Sequence, residues 1–436
     1  MMSTAQIYQE FLRSTGICTD TRQEVEAKIF FALRGEQFDG NLYVEEALER
    51  GCLLAITERE DLEGKAGTVV VPSVLQKLQE LAHLHRMKRA PRLIAITGSN
   101  GKTTTKELMA AVLSTRFKVL ATRGNLNNHI GVPLTLLRLK DEAFAVVEMG
   151  ANHAGEIAKL AGIAAPDVGL ITNVGKAHLE GFGSLQGVLE AKSELYSYLA
   201  THGGKGIVDG RDQLLLDRAR GLGLAVKVAG PDQDLPVEVK LLGQSPWLEL
   251  ELVLGDERFK LESRLVGTYN LQNILLASAA GLHFGIPEKS IAEAIASYIP
   301  ENQRSQLLEG GANKVVLDSY NANPSSMREA IGALLSYATG PTMLILGDMA
   351  ELGDSSLDEH RKLVQWIGTL GVDRILLAGP QFYQVCEPSE KLLVFREREA
   401  LESWLEKEKP RGFQILLKGS RIMELESLVH FLLEKK

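Results

Sequence analysis

Thr97-Gly98-Ser99-Asn100-Gly101-Lys102-Thr103-Thr104-Thr105 is the stretch on which the fold of this chain turns. It stands between an apolar run, residues 93–97, and a segment with amphipathic helical spacing, residues 103–114. Strand, Gly-rich turn and helix in that order make a phosphate cradle. The glycines let backbone N–H groups close around phosphate oxygens, and the helix N-terminus adds a favourable dipole. Lys102 supplies charge and Thr103 a hydroxyl for magnesium. The loop is a shorter variant of G-x-x-x-x-G-K-[ST], which needs Gly where Ile96 stands, and this argues against an ordinary nucleotide kinase or GTPase.

Outward from this loop, strand–helix alternation is expected to continue toward residue 300, the pattern of a doubly wound, mainly parallel sheet. On its N-terminal side, residues 35–61 run from a Gly- and Asp-rich loop through a helix (44–50) to a short strand (53–57), a small α/β unit. A helix over 74–88 should end at Ala90-Pro91, because proline disfavours helix in the residue before it. After Pro300 comes a second α/β series: strand 314–317, helix 325–337, strand 343–346, helix 356–370 and strand 374–378. The fold class is therefore α/β, with three parts, 1–90, 91–303 and 304–436.

The 436 residues suit about three domains. Hydrophobic residues at 45% and charged residues at 24% exclude disorder and coiled coil, and a net charge of -8 supplies no global field for nucleic acid or anionic lipid. Cys18, Cys52 and Cys386 are too scattered for a disulfide framework or a zinc cluster. No basic leader and no apolar run of about 18 residues occurs, so the expectation is a cytoplasmic protein without membrane insertion or nucleic-acid partner.

Further candidates lie at strand ends, where open α/β sheets bind ligands. Glu148 closes the run 144–147 and can give a hard Mg²⁺ an oxygen ligand. Asn173 and His178 follow strand 168–172. Asp318 closes K-V-V-L-D and Lys418 closes Q-I-L-L-K, and either reads equally as a turn former or an exposed cation. Lys192, on a helix over 185–198 with Glu190 and Glu194 nearby, reads on sequence physics alone as a surface lysine with helical ion pairs.

Together these motifs resemble the ATP-dependent Mur ligases of bacterial cell-wall synthesis, a superfamily that also contains folylpolyglutamate synthase. The loop, V-E-M-G (147–150) and T-N-V-G-K-A-H (172–178) carry the likeness at that level. More specific are G-N-L-N-N-H-I-G-V-P (124–133), D-S-Y-N-A-N-P (318–324), L-G-D-M-A-E-L-G (346–353) and L-K-G-S-R (417–421), with C-T-D-T-R (18–22) and F-F-A-L-R-G-E (30–36) near the N-terminus. These are similar to the branch that joins D-alanyl-D-alanine to UDP-N-acetylmuramoyl-tripeptide.

The resemblance implies a small N-terminal α/β domain for the UDP-muramoyl substrate, a central P-loop ATPase and a C-terminal Rossmann-like domain, in an enzyme expected to act as a monomer. It implies ATP bound by Gly98, Ser99, Asn100, Gly101, Lys102, Thr103 and Thr104, with Asn270, Asn273, Arg304, Asp318, Asn321 and Asn323 completing the nucleotide site. Two Mg²⁺ are implied, with Thr103, Glu148, His178 and a carbamylated Lys192 as ligands. Lys102, Lys192 and His178 are the implied catalytic residues, and Asp348, Glu351 and Lys418 are candidates for the amine substrate. The chain departs from the usual pattern at Tyr269, where relatives carry His, and at V-D-G-R-D (208–212), where they read like V-x-N-x-D-D. Folylpolyglutamate synthase and the preceding tripeptide-forming ligase would share the central domain but do not account for D-S-Y-N-A-N-P with G-D-M-A-E-L-G. A P-loop switch without ligase activity is the alternative outside the family.

Overall fold

Strand Arg92–Thr97 is buried from its second residue to its last and lies inside a six-stranded parallel sheet. Its neighbours are Phe144–Glu148 on one side and Val168–Ile171 on the other. Beyond them lie Val119–Ala121 at one edge and Lys205–Asp209 followed by Ala225–Ala229 at the other. The chain leaves Arg92–Thr97 toward one edge and crosses back to the other side after Phe144–Glu148. The phosphate loop therefore opens at a topological switch point, where side chains from diverging connections leave a crevice. The computed structural model describes residues 2–35, 38–176 and 179–433.

The N-terminal part holds a four-stranded parallel sheet in sequence order: Ile17–Cys18, Ile29–Phe31, Leu54–Thr57 and Thr68–Val70. Helix Val74–Arg89 then ends on Ala90, which takes the left-handed conformation before Pro91. That helix packs against Thr4–Arg13 on one side and against Gly131–Leu136 and Glu156–Ala164 on the other. One continuous apolar cluster consequently runs from Ile7 and Phe31 through Leu78 and Leu81 into Val147, Leu195 and Val228.

The alternation expected up to residue 300 is interrupted. Strands Val237–Gln244, Trp247–Leu254 and Glu257–Val266 form a separate antiparallel sheet. Leu248, Leu250, Leu252 and Leu254 point to one buried face, while Glu249 and Glu251 take the other. Strict alternation of this kind is the signature of a half-buried strand, and it was legible in W-L-E-L-E-L-V-L. The buried face closes over helices Lys102–Ser114, Asn270–His283 and Glu288–Ser297 in a second apolar cluster.

The C-terminal part contains a six-stranded sheet in the order Gln306–Gly310, Asn313–Leu317, Gln414–Lys418, Thr342–Gly347, Arg374–Ala378, Leu392–Phe395. Only the first pair is antiparallel. Apolar clusters cover both faces, which is what a mostly parallel sheet requires. Because Leu317 pairs with Leu417, Asp318 and Lys418 emerge side by side at the carboxyl ends of adjacent strands.

Candidate active site

Residues 98–101 leave strand Arg92–Thr97 and enter helix Lys102–Ser114 through two glycines in conformations that side-chain-bearing residues avoid, Gly98 at φ 145° and Gly101 at φ 78°. Space is equally restrictive: a Cβ on Gly98 would lie 1.9 Å from Thr172 Oγ1, and one on Gly101 2.3 Å from Asn273 Oδ1. The neighbouring strand end braces the loop. Asn100 N–H donates to Asn173 Oδ1 at 2.9 Å, and Gly175 N–H donates to Ser99 Oγ at 2.9 Å. Lys102 folds back over the loop, its ammonium donating to Gly98 O at 2.7 Å and Ser99 O at 3.2 Å. Burial, reinforced by nearby Arg304, lowers its pKa, while Glu148 and Glu351 oppose the shift.

Beside the loop, Glu148 is 1% exposed at the end of its strand. Its two oxygens accept from Thr103 Oγ1 at 2.8 Å and Asn127 Nδ2 at 2.9 Å, and its own N–H donates to Thr122 Oγ1. A carboxylate and a threonine hydroxyl on the phosphate loop form the oxygen set that suits Mg²⁺, which is usually held by one or two carboxylates together with water and phosphate. Asn127, within G-N-L-N-N-H-I-G-V-P, thus has a role in holding Glu148. No cluster of three or more His, Cys, Asp and Glu fit to hold a metal occurs among the described residues. His178 lies outside those residues.

Lys192 is not a surface residue. Helix Leu185–Thr201 buries Val188, Leu195 and Leu199, and Lys192 falls on that same stripe, 1% exposed. Glu194 points elsewhere and accepts from Gly155 and Ala158 N–H, while Glu190 accepts from Gln186. The Lys192 ammonium lies 5.6 Å from the centre of the Phe182 ring. Burial holds its pKa well below the ordinary lysine value, and the charge of Lys102 pushes it further down. The helical spacing of Val188, Lys192, Leu195 and Leu199 was the sequence signal for this burial.

Asn270 and Asn273, at the start of helix Asn270–His283, are buried and chained together. Asn273 Oδ1 accepts from Thr105 Oγ1 and its amide donates to Asn270 Oδ1, which fixes the helix against the phosphate loop. A cavity of about 650 Å³ opens beside them, lined by Asp209, Arg211, Thr268, Tyr269 and Glu329. Within V-D-G-R-D, Arg211 forms a two-pronged ion pair with Asp209, and Asp212 caps helix Gln213–Gly221.

A second cavity, about 690 Å³, is bounded by the phosphate loop, Glu148, Arg304, Asp318, Asn321, Asn323, Glu351 and Lys418. The C-terminal part closes on the loop directly: Asn323, N-cap of helix Pro324–Tyr337, donates its amide to Asn100 Oδ1 at 2.8 Å. Lys418, 2% exposed, binds Asp318 Oδ2 at 2.6 Å and Asn321 O at 3.0 Å. Lys176 pairs with Glu359 at 2.9 Å across the same junction. Asp348 stands apart from this cavity: its oxygens accept from Gln381 and Phe382 N–H at the start of helix Pro380–Val385. These bonds give Asp348 a capping role at that helix. Tyr320, Arg421 and Glu329, which the sequence reading did not single out, also line the cavity.

Residues 96–281 match the Mur ligase middle domain, and residues 303–421 match the family described as Mur ligase, glutamate ligase domain. UDP-N-acetylmuramoyl-tripeptide--D-alanyl-D-alanine ligase of Bacillus subtilis is 33% identical over 430 residues, spanning 96% of this chain and 93% of the relative. The chain belongs to the Mur ligase family. Among solved structures, MurF from Acinetobacter baumannii superposes with a TM-score of 0.87 at 33% identity, covering 98% of both chains. MurF ligase from Thermotoga maritima, solved with ADP, gives 0.84 at 26% identity, covering 97% of each. The three-domain α/β architecture of this Mur ligase is that of these neighbours. No helix among its described residues is long and apolar enough to cross a membrane.

Proposed function

We propose that this chain is an ATP-dependent amide ligase that joins D-alanyl-D-alanine to UDP-N-acetylmuramoyl-tripeptide in peptidoglycan precursor synthesis, acting in the cytoplasm as a monomer. The observation that carries the reading is the convergence on one cavity of the phosphate loop, the Thr103–Glu148 pair and the C-terminal residues Arg304, Asn323 and Lys418. The near full-length likeness to ligases named for those substrates supports it. The division of labour assigns 1–90 to the UDP-muramoyl substrate, 91–303 to ATP and 304–436 to the incoming amine.

The chemistry is phosphoryl transfer followed by acyl transfer. A carboxylate oxygen of the tripeptide attacks the γ-phosphorus, the bond to the ADP oxygen breaks, and an acyl phosphate forms. The dipeptide amine then attacks the acyl carbon, inorganic phosphate leaves, and the amine gives up a proton. Both steps build negative charge, which Lys102 and the N–H groups at the start of helix Lys102–Ser114 stabilise from fixed positions. Thr103 and Glu148 would hold one Mg²⁺, which supplies charge neutralisation at the phosphates when bound. His178 and Lys192 are assigned to a second. Lys192 fits that role only after carbamylation, in which its neutral amine bonds to CO2 and releases a proton, so that a buried cation becomes an anionic oxygen donor. Burial lowers the Lys192 pKa, which favours the neutral amine this step needs. Closure of the C-terminal part keeps water from the acyl phosphate.

Measuring ADP release with each substrate omitted in turn tests the reading. ADP should form at full rate only with the muramoyl tripeptide and D-alanyl-D-alanine both present. Release at the same rate with neither would point to a nucleotide-driven switch instead.

A further inference from the structure

The connection from helix Glu288–Ser297 to strand Gln306–Gly310 is strained where the two larger domains meet. Gln303 at φ 59° and Ser305 at φ 51° are both in the left-handed region, which such residues occupy only where their surroundings force them to. The restraints are visible. Ser305 N–H donates to Asp318 Oδ1 at 3.1 Å, its hydroxyl is hydrogen-bonded to the Tyr269 hydroxyl, and Gln303 Oε1 accepts from Arg421 at 3.0 Å. Between the two strained residues stands Arg304. Its guanidinium stacks on Tyr320 at 3.8 Å, and its Nε is buried with no hydrogen-bond partner among the described residues.

A buried guanidinium donor left unsatisfied is costly, and a phosphate oxygen is the acceptor it fits best. Arg304 lines the phosphate-loop cavity, so a nucleotide there can meet that need. Tyr269 borders both cavities and reaches the clasp from the nucleotide side of the junction, just before helix Asn270–His283. Its ring lies against Gly267, where a Cβ would come within 2.3 Å of Tyr269 Cε1, so the glycine makes room for the ring in this position.

We propose that Tyr269 is a positioning residue: through Ser305 it holds the strained segment 303–305 in the conformation that turns Arg304 toward the transferring phosphoryl group. This rests on the ligase reading above. Tyr269 touches the connection rather than the reacting atoms, so its contribution appears in kcat and is transmitted only through Arg304.

The test uses the full chain with Tyr269→Phe, Ser305→Ala, Arg304→Ala and their pairs. Loss of one hydrogen bond from the clasp should lower kcat about tenfold in either Tyr269→Phe or Ser305→Ala while the KM for ATP moves less than about threefold. The pair should be no worse than either alone, and adding Tyr269→Phe to Arg304→Ala should cost nothing further. A readout independent of turnover is tryptic cleavage of the Arg304–Ser305 bond in the native protein, expected to be about fivefold faster in Tyr269→Phe and Ser305→Ala because segment opening governs it. Melting temperatures check that the variants fold. Unchanged kcat, additive losses with Arg304→Ala, or unchanged cleavage would each overturn the proposal. If the unaltered protein does not ligate, the ligase reading fails, and the cleavage comparison alone decides the clasp.

Discussion

Lys192 is buried beside Phe182, and the charge that acts on it most clearly is that of another cation, Lys102. Taking an ammonium out of water is among the costliest things a fold can do, and with no ion pair to Lys192 among the described residues burial drives its pKa down. Lys192→Ala should lower kcat by about 10² or more, the scale seen when a fixed electrostatic group is removed from an active site. Activity should partly return with added formate or acetate, which can fill the place of a carbamate; full activity without rescue would remove Lys192 from the mechanism. Lys102→Ala should cost about 10²- to 10³-fold in kcat in the ADP-release assay. The types of Lys102, Thr103 and Glu148 were legible because each sits at a strand or helix end marked by local pattern. The burial of Lys192 was encoded in helical spacing, yet nearby glutamates suggested a solvated ion pair that the fold does not make.

Helix Pro324–Tyr337 shows how one element serves stability and the site together. Asn323 accepts from Ser326 N–H at 2.9 Å as the N-cap and donates to Asn100 Oδ1 with its amide nitrogen. Asn323→Asp keeps the cap oxygen and loses the donor, so it should leave stability nearly intact and lower kcat. Asn323→Ala loses both and should also cost about 1 kcal/mol, readable as a shift in denaturant midpoint. The phosphate loop allows a comparable test: Gly101→Ala brings a methyl into Asn273 and forces a left-handed alanine, and should weaken nucleotide binding in calorimetry. The antiparallel sheet over 237–266 carried an equally clear signal, alternating Leu and Glu, which the expectation of an unbroken strand–helix series obscured. Locally the pattern was unambiguous; the error lay in extending a neighbouring topology across it.

At the scale of the molecule, helix Val74–Arg89 packs on strand Ile29–Phe31 and on helices Gly131–Leu136 and Glu156–Ala164 of the central part, and the apolar cluster passes through it without a break. Residues 1–90 and the central part should therefore unfold in one calorimetric transition, with the C-terminal part, whose core forms two further clusters that take in only Val266 and Trp247 from the central part, in another. His85 lies in that shared region, 1% exposed, between Tyr8 at 3.2 Å and Leu139 O at 2.8 Å, with Phe11 packed on its ring. Burial lowers its pKa below 6.5 and the charge of Arg89 adds to this, while the Leu139 carbonyl and Glu142 pull the other way. The unfolded chain thus binds a proton as pH falls through 6.5 before the folded chain does, so stability is full above that value and is lost below it, by about 1.4 kcal/mol per unit of depression. The melting temperature of this transition should fall between pH 7 and 5. His85→Leu should flatten the slope; an unchanged slope would exclude His85 as its source.

By itself the sequence determined the class of the sheets, the phosphate loop and the chemical types gathered at strand ends, because these depend on local periodicity, turn chemistry and motif spacing within a few residues. The tertiary structure alone decided that Asp348 caps a helix instead of facing the cavity, that Asp318 and Lys418 meet from strands 100 residues apart, and that Asn323 reaches Asn100 across the domain junction. Those outcomes follow from strand register and domain packing, which bring together groups that no local pattern in the chain connects.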